Sequence, residues 1–186
     1  MRIAALALAL TSLPFAAAAQ TPPIKPGLWQ VHSEREVDGQ KAPDMTAQLK
    51  DLPPETRRQM EAMMKARGVD ASGGGDPKIC FDKESLDAGR WRNEQGSCKT
   101  DFSAQTPSRW AWKSVCTQPM ASTSEGETVF TSPQSYTTKV TTAMTVNGKP
   151  TTTRMTMTSK WLPSFHWALI GSLICSSMKR FRKRAP

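Results

Sequence analysis

The chain has 186 residues, 38% hydrophobic and 22% charged, with a formal net charge of +9. Six of those nine charges belong to Arg2 and to the run Lys179, Arg180, Arg182, Lys183 and Arg184, so the basicity is largely terminal. A nucleic-acid binder carries its charge as a stripe on the folded body, and this distribution argues against that class.

The first nineteen residues read as a secretory signal peptide. Arg2 supplies the positive start, Ile3 to Phe15 the apolar core, and Ala17-Ala18-Ala19 the small residues before a cleavage site at Gln20. The apolar run is too short for an ordinary membrane span. Export to the periplasm is therefore expected, with residues 1–19 removed. Four cysteines remain: Cys80, Cys98, Cys116 and Cys175. An even number in an exported chain points to two disulfides. The 18-residue spacing of Cys98 and Cys116 suits a clip between neighbouring strands, which leaves Cys80 to pair with Cys175. A zinc site would want a close Cys-x-x-Cys pair, and none is present; His32 and His166 are far apart in sequence. No metal and no cofactor fingerprint is read.

Residues 20–26 hold three prolines and read as an extended lead-in. Leu28–Val37 follows as the first strand, with Trp29 and Val31 on its better buried side. Asp38-Gly39 marks a turn. A helix is predicted over residues 53–67: proline suits its first turn, Glu55 suits its positive end, and Gly68 is its stop. Met60, Met63 and Met64 form a narrow apolar stripe along it. Such a stripe either serves as an adaptable binding surface or covers the open side of a sheet. Residues 71–76, ASGGGD, form a loop; no strand enters it and no Walker lysine follows, so a phosphate cradle is not read.

Beyond Pro77 the chain is mainly extended. Short strands are predicted over residues 78–82 and 96–103, with one helical turn at 83–88 between them. Residues 109–116 alternate, placing Trp110, Trp112, Ser114 and Cys116 on one side. A further strand runs from Glu125 to Ser132. Residues 135–146 and 151–161 flank Asn147-Gly148, the strongest hairpin signal in the chain. Tyr136, Val140, Met144 and Val146 recur on one side of the first of these strands, and Met155, Met157 and Trp161 on one side of the second. Threonine fills much of the remainder and favours extended structure. The whole reads as a mainly β chain: a single antiparallel meander or curved sheet of six or seven strands over residues 20–161, with one accessory helix. Residues 162–186 stand apart, apolar to Met178 and then basic. This segment admits a membrane anchor with its tail inside, a packed terminal element, or an aberrant ending.

The exported start and the Pro26-Gly27-Leu28-Trp29 opening come together with the segment from Leu52-Pro53-Pro54-Glu55 to Met64. Cys80, Cys98, the Trp110–Cys116 strand, and Gly126-Glu127-Thr128-Val129-Phe130 followed by Tyr136 complete the pattern. In these features the chain resembles the DUF3617 family of small periplasmic proteins of unknown function, over roughly residues 26–161. The resemblance implies location and fold and transfers no catalytic residues. Members of that family usually end soon after the last strand with a short turn bearing the fourth cysteine. This sequence departs at Ser159-Lys160-Trp161-Leu162 into the Pro163–Pro186 stretch.

Catalysis needs a nucleophile, a base and an orienting group brought together, and the sequence offers no recognisable set. The alternatives are a small envelope hydrolase using His32 beside Glu34 and Glu36, and a membrane-anchored structural protein. The preferred expectation is noncatalytic: binding of an apolar small molecule or an envelope partner. Trp29, Trp110, Trp112, Tyr136, Met144 and Met155 are the expected wall residues if the apolar side of the sheet stays open; if it is filled, they are its core.

Overall fold

The computed structural model describes residues 21–43, 45–66, 68–71, 75–87, 97–118 and 120–163. Nine strands and three helices follow in chain order. They are β1 (Gly27–Val37), β2 (Gln40–Lys41), α1 (Met45–Asp51), α2 (Pro54–Ala66), β3 (Val69–Asp70), β4 (Lys78–Phe81), α3 (Lys83–Asp87), β5 (Cys98–Gln105), β6 (Arg109–Cys116), β7 (Ser122–Ser132), β8 (Ser135–Val146) and β9 (Lys149–Trp161). All strands join one open antiparallel sheet in the order β3-β4-β1-β9-β8-β7-β6-β5, with β2 hairpinned onto β1. The chain thus folds as a meander from β5 to β9, and β1 returns to pair along β9.

Local chemistry explains the turns. Asn147 and Gly148 have φ of 51° and 77°, and Asp38 and Gly39 have 50° and 80°. Both are two-residue hairpins with positive φ at each central position, a conformation that Asn, Asp and Gly tolerate. Helix α2 has proline at its first position, and Gly68 adopts a φ of 84° just beyond its end. Helix α3 is capped by Asp82, whose carboxylate accepts the Ser85 backbone N–H at 2.7 Å.

Three short elements were not expected: α1, β2 and β3. Two of them are two-residue strands that exist by pairing alone, and these raise the strand count from the expected six or seven to nine. The methionine stripe of α2 does not cover the sheet. That helix has no buried residue, and Met60 and Met63 are exposed. The Cys98–Cys116 disulfide is present and clips β5 to β6, as the spacing predicts. Cys80 is disulfide-bonded as well; its expected partner, Cys175, lies outside the described residues, as do residues 1–20 and nearly all of the 162–186 segment. Among the described residues no helix is long and apolar enough to cross a membrane.

The register divides the sheet into two faces, because residues directly opposite one another on neighbouring strands point the same way. One face carries Trp29, Val31, Tyr136, Phe130 and Trp110. It holds the core, with Trp29 fully buried and Trp110 2% exposed. The other carries His32, Glu34, Lys113, Glu125, Glu127, Lys139 and Arg154 and is mostly solvated.

Candidate functional site

All six residues expected to line an apolar site project from one face. The register makes this explicit in successive rows across the sheet. One row joins Ser33, Met157, Thr138, Thr128 and Trp110. The next joins Arg35, Met155, Val140, Gly126, Trp112 and Phe102. Met144 lies two rows further on, with Thr151, Ser122 and the Cys116–Cys98 pair.

These residues do not share one environment. Trp29, Tyr136 and Trp110 belong to a continuous aromatic stack at the closed end. Phe81 meets Trp29 at 6.3 Å, Trp29 meets Tyr136 at 5.1 Å, Tyr136 meets Phe130 at 6.0 Å, Phe130 meets Trp110 at 5.4 Å, and Trp110 meets Phe102 at 5.8 Å. The six strands that bear these rings lie on either side of β9 without using it, since β9 carries Ser159 opposite Tyr136. A small side chain there, 1% exposed, leaves room for Trp29 to reach Tyr136 across the strand. Ser159 Oγ is buried beside the Tyr136 phenol and, among the described residues, makes no hydrogen bond of full geometry. Burial pushes the Tyr136 phenol upward from its ordinary pKa, and the nearby Ser159 hydroxyl offsets part of that rise.

The lead-in segment before β1 seals this end. Trp29 Nε1 donates to the Lys25 carbonyl at 3.0 Å, Lys25 N–H donates to the Pro133 carbonyl at 2.9 Å, and Trp161 Nε1 donates to the Pro26 carbonyl at 3.2 Å. Trp29 and Trp110 are therefore core residues.

The Arg35–Phe102 row is different: every member is half-buried. Trp112 lies across the backbone of Gly126, close enough that a Cβ on that glycine would sit 2.3 Å from the indole. Val140 and Met155 continue the apolar surface. Beyond this row the face turns polar and pairs its own hydroxyls. Ser124 and Thr142 lie 2.9 Å apart, and Thr100 donates to Ser114 at 3.1 Å. The sheet thus presents an apolar track between two rows with paired hydroxyls, one of which carries Thr128 and Thr138 at 2.9 Å and ends at the buried Trp110.

The opposite face carries an open groove of about 590 Å³. Most of its lining residues point to that face, among them Lys113, Glu125, Glu127, Lys139, Thr141 and Arg154. Glu125 and Glu127 share this face and each meets a cation. Lys113 Nζ donates to Glu125 at 2.9 Å and Arg109 Nη2 to Glu127 at 2.8 Å. The Arg109 hydrogen bond holds the Glu127 carboxyl below its ordinary pKa, and the pair raises Arg109 in turn. Both pairs sit in water, where such bridges add little stability.

His32 finds a partner that its sequence neighbours did not foretell. Its Nδ1 lies 2.8 Å from Asp76 Oδ1, and Gln30 Nε2 donates to Asp76 Oδ2 at 3.2 Å. Asp76 ends the glycine loop, 44 residues away. Glu34 instead faces Lys41 at 3.6 Å. Among the described residues no three His, Cys, Asp or Glu side chains cluster closely enough to hold a metal ion.

Two comparisons place the chain among known proteins. It is 31% identical over 120 residues to an uncharacterised protein from the lpd-3 5′ region of Pseudomonas putida, a match spanning 61% of this chain and 82% of that one. No solved structure matches it. The profile of the protein family of unknown function DUF3617 matches residues 24–164, from the lead-in to the end of the last strand, and the chain belongs to that family.

Proposed function

We propose that this is an exported, noncatalytic protein that binds an apolar ligand along the half-exposed row of its sheet. The observation that carries this reading is the contrast within one face. Trp29 and Trp110 at its aromatic end are buried, whereas Trp112, Val140 and Met155 remain partly accessible beside them. Apolar surface of this kind gains free energy by leaving water, at about 25 cal/mol per Å². The Cys98–Cys116 disulfide is consistent with an oxidising compartment such as the periplasm. Of the six expected wall residues, Trp112 and Met155 are then ligand contacts, while Met144 lies two rows away beyond the hydroxyl pairs. Trp29, Trp110 and Tyr136 support them from the core.

Native mass spectrometry of protein purified from its own periplasm tests this. A retained apolar molecule is expected, lost in Trp112→Ala or Met155→Ala while the fold persists. Trp29→Ala should instead unfold the chain, at a cost of about 3–5 kcal/mol. Absence of any copurifying ligand, with the Trp112 and Met155 variants altering stability alone, would refute the binding reading. The His32–Asp76 pair keeps a hydrolase as the second reading. Turnover of an ester or amide substrate abolished by His32→Ala would favour it.

A further inference from the structure

The apolar row ends in a charge. Arg35 stands directly opposite Met155 and in line with Val140, Gly126, Trp112 and Phe102. Apart from Lys149 at the tip of the β8–β9 hairpin, it is the only charged side chain on this face among the described strand residues. Arg35 is half-buried, and among the described residues its side chain has no ion pair or hydrogen bond. On the opposite face Arg109, Lys113, Lys41 and Lys99 each lie within reach of a carboxylate, and Lys139, Arg154 and Lys160 are exposed to water. A guanidinium with no carboxylate partner keeps its fork of N–H donors available to an anion.

We infer that Arg35 is the headgroup site of the apolar row, and that the ligand is a long-chain fatty acid bound through its carboxylate. The inference rests on the binding reading above and supplies the ligand class. The geometry fits a single extended amphiphile. Neighbouring strands lie ~4.8 Å apart, so the path from β1 over β9, β8 and β7 to β6 covers ~19 Å, the reach of a long acyl chain. The carboxylate meets Arg35 at one end, where the planar guanidinium can donate two parallel hydrogen bonds. The chain then crosses Met155 and Val140. Its far end reaches the Trp112 indole, which lies flat because Gly126 beneath it has no side chain. Methionine beside the headgroup adapts to chains of different shape.

The plain alternative is an arginine that lays its stem over Met155 and holds its head toward water. The two differ in one measurable respect, discrimination by ligand charge. Titration of the full protein with the fluorescent fatty acid cis-parinaric acid and with its uncharged methyl ester separates them. The acid is expected to bind at least tenfold more tightly than the ester. Arg35→Gln should abolish that preference while leaving the affinity for the ester unchanged, and Arg35→Lys should restore it in part. Thermal melts of both variants should match the parent, since the side chain holds no structural bond. Equal binding of acid and ester by the parent protein would overturn the role of Arg35 and leave the apolar row standing. A parent protein that binds neither probe would overturn both. Equal loss of acid and ester in Arg35→Gln would assign the residue to packing and overturn the headgroup site.

Discussion

Substituting Gly126 by alanine gives a direct test of how the apolar face is assembled. In an ordinary strand this change stabilises by about 0.5–1 kcal/mol, because glycine loses more backbone freedom on folding. Here the added methyl would lie 2.3 Å from one atom of the Trp112 ring and 2.4 Å from a second. Those atoms belong to the rigid body of an indole, so the ring must turn as a unit or the strands must part. Overpacking of this kind costs about 1–3 kcal/mol. The net expectation is a loss of ~1–2 kcal/mol, despite the favourable backbone change. Urea denaturation would register it as a midpoint lower by roughly 0.5–1 M with an unchanged slope. The decisive comparison is a double-mutant cycle with Trp112→Leu. In that background the alanine should be neutral or stabilising, which gives a coupling energy of about 2 kcal/mol. If Gly126→Ala stabilises the parent chain as it would an ordinary strand, the indole does not rest on this glycine, and the packing of the apolar row over it is refuted.

The remaining expectations concern the disulfide and two titrations. Replacing both Cys98 and Cys116 by alanine should cost about 3 kcal/mol, read from denaturation curves, through the freedom restored to an 18-residue loop of the unfolded chain; an unchanged midpoint would contradict this. Tyr136 is the only tyrosine in the chain, so tyrosinate absorbance reports it alone. Its folded pKa is raised, so its contribution to stability is complete below the unfolded value of about 10 and disappears as pH climbs through the folded one. Alkaline titration should show absorbance rising above pH ~10 together with unfolding, and Tyr136→Phe should unfold at higher pH than the parent. Glu127 has the opposite sign. Its folded pKa is lowered, so the pair with Arg109 contributes above the unfolded carboxylate value of about 4.3 and fades as pH falls through the folded one. The stability difference between parent and Glu127→Gln should accordingly shrink in acid, and a difference independent of pH would show that the ion pair is not its source.

Much of this architecture is carried by short-range chemistry and is legible in the order of residues. Asn147-Gly148 and Asp38-Gly39 dictate hairpins, because few other pairs accept positive φ at both positions. Alternation in Arg109–Cys116 and Ser135–Val146 assigns Trp110, Trp112, Tyr136 and Met144 to one side of their strands, since side chains must alternate across a pleat. The spacing of Cys98 and Cys116 anticipates their bond. Tertiary structure decided what periodicity has no means to encode. Alternation says which residues share a side, not which of them are covered; burial of Trp29 depends on the lead-in, and exposure of Trp112 on its distance from that end. The methionines of α2 have helical spacing whether or not a sheet lies beneath them. His32 takes Asp76 as its partner because β4 brings the end of the glycine loop alongside β1. In sequence Arg35 is one of three successive charges, Glu34-Arg35-Glu36, near the end of β1. Only the pairing of β1 with β9 sets it opposite Met155, at the end of an apolar row whose other members lie up to 120 residues away in sequence, because register between strands is fixed by the cooperation of the whole sheet.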